Sequence, residues 1–114
     1  MFVVSSGAFQ GGKPVNEIEL SGSTLIVRGD LSWELDNIFN RACHDLIEAG
    51  DRALAVDMTD VGFVASPFIG KIVKLHTTAA EGARSLKILI SPKLEELFEM
   101  SGLLGPLDVE IVRQ

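Results

Sequence analysis

Apolar positions change their spacing several times along the chain, and each change marks an element. The opening run Ser5-Ser6-Gly7-Ala8-Phe9-Gln10-Gly11-Gly12-Lys13-Pro14 is rich in Gly and Ser and has no period, so residues 1–16 read as a flexible arm. Glu17-Ile18-Glu19-Leu20 then alternates, Ser21-Gly22 turns, and Thr24-Leu25-Ile26-Val27-Arg28 is β-branched and apolar, which predicts a short antiparallel pair. From Ser32 the period becomes helical. Leu35, Ile38, Phe39, Ala42, Leu46 and Ala49 share one face, Glu34, Asn37, Arg41, His44, Asp45 and Glu48 the other, and Gly50 ends the helix. Ala53-Leu54-Ala55-Val56 is apolar without alternation, as in a central strand covered on both faces.

Ser66-Pro67 and Ser91-Pro92 both read as a cap followed by proline at a first helical position. The second helix carries Phe68, Ile69, Ile72, Val73, Leu75 and Ala79 on its apolar face and closes at Glu81-Gly82. The third carries Leu94, Leu97 and Phe98 and ends at Gly102. Leu86–Ile90 reads as a buried strand between these helices, and Leu107–Ile111 alternates as a last, half-exposed strand. The order ββαβαβαβ predicts a single α/β domain over residues 17–114, with a mixed sheet flanked by helices and parallel neighbours joined by right-handed crossovers.

Composition narrows the function. The chain has 114 residues, 46% hydrophobic and 23% charged, which suits one globular domain. Ten Lys and Arg against sixteen Asp and Glu leave a net charge of −6, which opposes both nucleic-acid binding and a polybasic membrane anchor. One cysteine, Cys43, excludes an intrachain disulfide and a thiolate metal cluster. Met1–Ser6 lacks the positive start and long apolar run of a signal peptide, and the longest charge-free stretches, Met1–Gly12 and Val61–Gly70, are too short to span a membrane. A cytoplasmic location is expected.

Several motifs promise chemistry and lack a necessary part. Gly7-x-x-x-x-Gly12-Lys13 has P-loop spacing, yet Pro14 stands where Ser or Thr must hold magnesium, and no helix follows. Asp57 ends a strand as a receiver aspartate does, but Asp30 has no acidic neighbour to complete a magnesium site, so Asp57 reads as an acceptor for nearby backbone donors. Ser66 stands at a strand–helix junction like a hydrolase nucleophile, with Val64 and Phe68 where that motif needs glycines. Of the two histidines, His44 falls on a solvent face and His76 on an apolar one, where a buried, hydrogen-bonded ring is expected. No spacing suggests a metal site, and no cofactor is expected. Ser66 remains as a modifiable hydroxyl or as a plain helix cap. Phosphate is favoured at a helix N-terminus, no acidic residue lies between Val61 and Ala80, and Lys71 and Lys74 fall on the helix's outer face. Residue chemistry alone leaves both readings open.

The run Val56-Asp57-Met58-Thr59-Asp60-Val61-Gly62-Phe63-Val64-Ala65-Ser66-Pro67-Phe68-Ile69-Gly70 resembles the central segment of STAS domains of the anti-sigma factor antagonist type. Leu97-Phe98-Glu99-Met100-Ser101-Gly102-Leu103 is similar to the family's Leu-Phe-x-x-Ser/Thr-Gly-Leu, and Gly29-Asp30-Leu31-Ser32 to its Gly-Glu-Leu-Asp. The resemblance spans roughly Glu17 to Val112. It implies a non-enzymatic regulator in a partner-switching system, phosphorylated by a serine kinase that doubles as the anti-sigma factor and dephosphorylated by a cognate phosphatase. It also aligns Ser66 with the phosphoacceptor and Gly70 with the last glycine of Asp-Ser/Thr-Ser/Thr-Gly-Leu/Ile-Gly. Ala65, Pro67 and Phe68 depart from that pattern, and they favour the alternative of a STAS scaffold that takes no phosphate and serves a transporter, stressosome or other signalling complex. The partner surface expected on either reading comprises Ser32, Trp33, Ser66, Phe68 and Lys71, with Trp33 and Phe68 as exposed aromatics. No membrane span is expected, and a weak homodimer is compatible with either reading.

Overall fold

The antiparallel pair expected at the start of the domain is a hairpin of β4 (Glu17–Ser21) and β5 (Thr24–Arg28), with Leu20 opposite Leu25 and Ser21 opposite Thr24. Its two-residue turn works because Gly22 takes φ +60°, a conformation that costs glycine nothing. The protein, as a computed structural model, is described at residues 2–5, 9–10, 13–14 and 17–113. Ahead of the hairpin, β1 (Phe2–Ser5) pairs antiparallel with β4, and β2 (Phe9–Gln10) pairs with β3 (Lys13–Pro14) in a separate ladder. The flexible arm expected over 1–16 therefore falls partly outside the described residues, and those within it are extended and paired. Gly7 and Gly12 of the P-loop-like run lie outside them. Lys13 lies in β3, and the next element is strand β4.

Three helices and three further strands follow: α1 (Asp36–Glu48), β6 (Ala53–Asp60), α2 (Ser66–Glu81), β7 (Ser85–Ile90), α3 (Pro92–Met100) and β8 (Asp108–Ile111). The main sheet runs β1-β4-β5-β6-β7-β8, antiparallel through β5 and parallel from β5 to β8. The parallel half advances one strand at a time in one direction. Right-handed crossovers taken repeatedly in the same direction place every helix on the same face of the sheet.

That topology overturns one expectation. β6 was expected to be covered on both faces, but only Leu54, Val56 and Met58 are buried, while Ala55, Asp57 and Thr59 point to the other face and are half-buried. The small alanines hid an ordinary one-sided alternation. Its neighbours agree: Leu25 and Val27 of β5 and Leu86, Ile88 and Ile90 of β7 are buried, whereas Lys87 is exposed. The core lies wholly between this face and the helices. No polar or charged residue is buried among those described.

Helix boundaries also shift. The first helix was expected from Ser32, but Trp33–Leu35 forms a 3-10 turn, with the Leu35 N–H donating to the Ser32 carbonyl at 2.9 Å, and α1 starts at Asp36. Phe39, Ala42 and Leu46 of α1 are buried as expected, and Ala49 is exposed beyond the helix end. On α2 the buried stripe is Phe68, Ile72, Leu75 and Ala79, and Val73 is exposed instead of inward. The residue that leaves α2 in the left-handed region is Ala83 at φ +58°, one position after the glycine expected to end it. Such a conformation costs a residue with a Cβ about 1–2 kcal/mol.

Candidate functional site

After β5 the register with β6 shifts between Ile26 and Arg28, and the chain continues alongside the loop that precedes α2. The Gly29 N–H donates to the Asp60 carbonyl at 3.2 Å and the Leu31 N–H to the Phe63 carbonyl at 2.9 Å. The Ala65 N–H donates back to the Leu31 carbonyl at 2.8 Å, and Leu31 and Val64 form a parallel bridge. These bonds extend the parallel sheet by a short irregular ladder. Ser32 and Ser66 each follow the last bonded residue of their strand of it, so the openings of the 3-10 turn and of α2 emerge side by side.

Ser66 is exposed and is the first residue of α2. The capping position belongs to Ala65, whose φ of −67° and ψ of 146° are extended, and no side chain caps the helix. Ser66 is therefore not the helix cap that the Ser-Pro signature suggests. Its hydroxyl is committed to no partner among the described residues. The first turn also has few donors to offer. The Ala65 amide is used by Leu31, the Phe68 N–H donates to the Ala65 carbonyl at 2.9 Å, and Pro67 has no N–H. The Ser66 amide is what remains.

The other expected surface residues separate. Trp33 is 80% exposed on the 3-10 turn, as expected, and Ser32 beside it is half-buried. Phe68 is 1% exposed, which corrects its placement on the partner surface. It heads the buried stripe of α2 and meets Phe39 of α1 edge-on, with ring centroids 5.3 Å apart and planes at 80°. Phe63 takes its place outside, 55% exposed. An aromatic in a loop, fitting neither helical nor strand period, was the available sign for it.

Charge around Ser66 also differs from the linear reading. Lys71 Nζ pairs with Asp36 Oδ1 at 3.0 Å and donates to Asn40 Oδ1 at 2.8 Å, both on α1. Asp30 stands beside the ladder, close enough that a Cβ on Gly62 would lie 3.6 Å from its Oδ1. The acid-free stretch 61–80 thus receives carboxylates from a neighbouring segment. Lys74 lies about 12 Å along the helix from Ser66. Gly70, aligned with the family's last glycine, is exposed, and a Cβ there would meet nothing within 4 Å. It leaves a bare spot one turn from Ser66, on the same side of α2.

The remaining candidates resolve into structure. Asp57 Oδ1 accepts from the Thr59 N–H at 3.0 Å and the Thr59 hydroxyl at 2.7 Å, so the acceptor reading holds, with a partner inside the same strand. His44 is exposed beside Glu48 at 3.6 Å. His76 is half-buried, not buried, because it sits at the margin of the stripe formed by Ile72, Leu75 and Ala79, and no hydrogen bond to its ring occurs among the described residues. Arg28 donates to Glu19 at 3.1 Å and pairs with Glu17. The Glu19 hydrogen bond leads in holding its pKa above the ordinary value. Among the described residues no group of His, Cys, Asp and Glu could hold a metal, and no helix is long and apolar enough to cross a membrane.

The mixed sheet flanked by three helices matches the STAS fold of a solved structure. The protein solved as the anti-sigma factor antagonist SpoIIAA in its unphosphorylated form shares it, at a TM-score of 0.65 and 19% sequence identity, over 85% of this chain and 87% of that one. No protein-family model matches the chain. No curated protein matches it either.

Proposed function

We propose that the protein is a regulatory binding protein of a cytoplasmic partner-switching system, antagonising an anti-sigma factor with serine kinase activity, and not an enzyme. Phosphorylation of Ser66 turns binding off, and a cognate phosphatase restores it. The observation that carries this reading is the Ser66 hydroxyl, exposed and uncommitted on the first turn of α2, where the ladder joins the segments that carry the exposed Trp33 and Phe63. The fold shared with an anti-sigma factor antagonist supports it.

On this reading the phosphate acts outward. Its added charge is about −1.5 to −2. Lys71 is paired with Asp36, and the first turn offers one amide, so most of that charge stays unneutralised at the surface. Partner carboxylates and apolar surface are repelled while the core stays intact. Trp33, Phe63, Ser32 and Ser66 form the contact surface, with Lys71 at its edge.

Incubation with ATP and the cognate kinase should add one phosphate's mass, mapped to Ser66. Ser66→Ala should bind the kinase permanently, and Ser66→Asp weakly. Phosphate on another residue, or equal binding by both variants, overturns the switch.

The scarcity of donors at Pro67 and the pairing of Lys71 favour a second reading, a STAS scaffold or accessory subunit that never takes phosphate. It predicts no mass increase and equal partner binding by wild type, Ser66→Ala and Ser66→Asp.

A further inference from the structure

On their solvent side, α1 and α2 leave a groove of about 400 Å³ between them. We propose that this groove binds a small organic anion, a carboxylate or phosphate head on a compact apolar body, with the head on Lys74 and the body on Cys43, Ile47 and Leu75.

Three features support that ligand class. The volume lies in the range of small-molecule sites, about 300–1,000 Å³. Residues 40–47 of α1 line it, roughly 10 Å of helix, which is short for a docked partner helix and sufficient for a small molecule.

The charges are arranged for an anion. The chain carries a net charge of −6, yet no carboxylate lines the groove, while Lys71, Lys74 and His44 do. Carboxylates stand at its margins, where Asp36 holds Lys71 and Glu48 holds His44. Lys74 has no ion-pair or hydrogen-bond partner among the described residues. Thr78, one turn further along α2, adds a hydroxyl on the same side.

The floor is dry. Burial pushes the Cys43 thiol up to about 12, against the opposing influence of nearby Lys71. Such a floor favours an apolar body, and the exposed Lys74 ammonium at its edge, unpaired among the described residues, attracts an anionic head.

The test is calorimetric and 15N NMR titration of the full chain with octanoate and with phenyl phosphate, using octanol and inorganic phosphate as half-ligand controls. Saturable binding of at least one complete probe, tighter than its half-ligand control, is expected, with shifts confined to residues 40–47 and 71–78. Lys74→Gln should weaken binding about tenfold, as for loss of one hydrogen bond to a charged group. Thr78→Trp, which fills the groove, should abolish it. Both positions are exposed, so unchanged melting temperatures will confirm that the variants fold. Absence of saturable binding by either probe, equal affinity for inorganic phosphate alone, or undiminished binding by both variants overturns the proposal.

Discussion

Two helices of this protein begin with the same dipeptide and use it differently. At α2, the Ala65 amide is tied to the Leu31 carbonyl, so the capping position falls on Ala65 and Ser66 becomes the first helical residue, its hydroxyl exposed. At α3, β7 ends at Ile90, and Ser91 takes the capping position itself with φ −84° and ψ 165°. Its hydroxyl makes no capping bond, and Oγ is buried without a partner. Ser-Pro therefore specifies where a helix can begin. A bond from another segment accompanies the difference in which serine hydroxyl is exposed.

Four tests can break or sharpen this contrast, beginning with the largest effect. Phe68 anchors the opening of α2 to α1, so Phe68→Ala should cost about 3–5 kcal/mol in denaturant unfolding. A loss below about 1 kcal/mol would place the anchor in the Leu31–Ala65 ladder instead.

Cys43 reports on the same helix pair. Its thiol is raised from 9.0 to about 12, so between these values the folded chain keeps a proton that the unfolded chain releases. The resulting stability is full below pH 9 and is lost as pH rises towards 12. Wild type should lose stability over this window more steeply than Cys43→Ala, and at pH 8 the thiol should react slowly with an aromatic disulfide reagent. Equal pH profiles would mean that the thiol is hydrated.

The serines themselves separate by sign. An ordinary N-cap serine loses about 0.5–2 kcal/mol on replacement by alanine. Ser91→Ala should be neutral or gain up to about 1 kcal/mol, because a buried, unpaired hydroxyl disappears. Ser66→Asp should change stability by no more than about 0.3–1 kcal/mol, in the favourable direction, through the helix dipole alone. A conventional cap loss at Ser91, measured by thermal unfolding, would erase the distinction between the two openings.

Trp33 completes the series with the smallest effect on folding. Being 80% exposed, it should change stability by less than about 0.5 kcal/mol on replacement by alanine, while weakening partner binding by more than that. The reverse pattern would make the ring structural and remove it from the surface.

Much of the candidate site was legible because it rests on local signals. Ser66 marks the start of α2, and Trp33 lies off every apolar stripe. Phe68 shows where the linear reading conflicted with itself. Its place with Ile72, Leu75 and Ala79 indicated the core, whereas its closeness to Ser66 suggested the surface, and the helical period prevailed. Phe63 carried a sign that went unread, an aromatic in a loop outside any period, whereas the pairing of Lys71 with Asp36 was not legible, because it joins residues 35 positions apart.

By itself the sequence determined the order of strands and helices from β4 to β8, most positions of the three helices' apolar stripes and the approximate position of each turn between them. These follow from side-chain spacing and from the backbone preferences of Gly and Pro, which act over a few residues. Only the tertiary structure decided that all three helices lie on one face of the sheet, that β1 joins its edge, that Ala65 and not Ser66 occupies the capping position, and that Lys71 is paired. Those outcomes depend on strand order and on hydrogen bonds and ion pairs between distant segments, and the spacing of residues along one segment carries no record of what another segment places beside it.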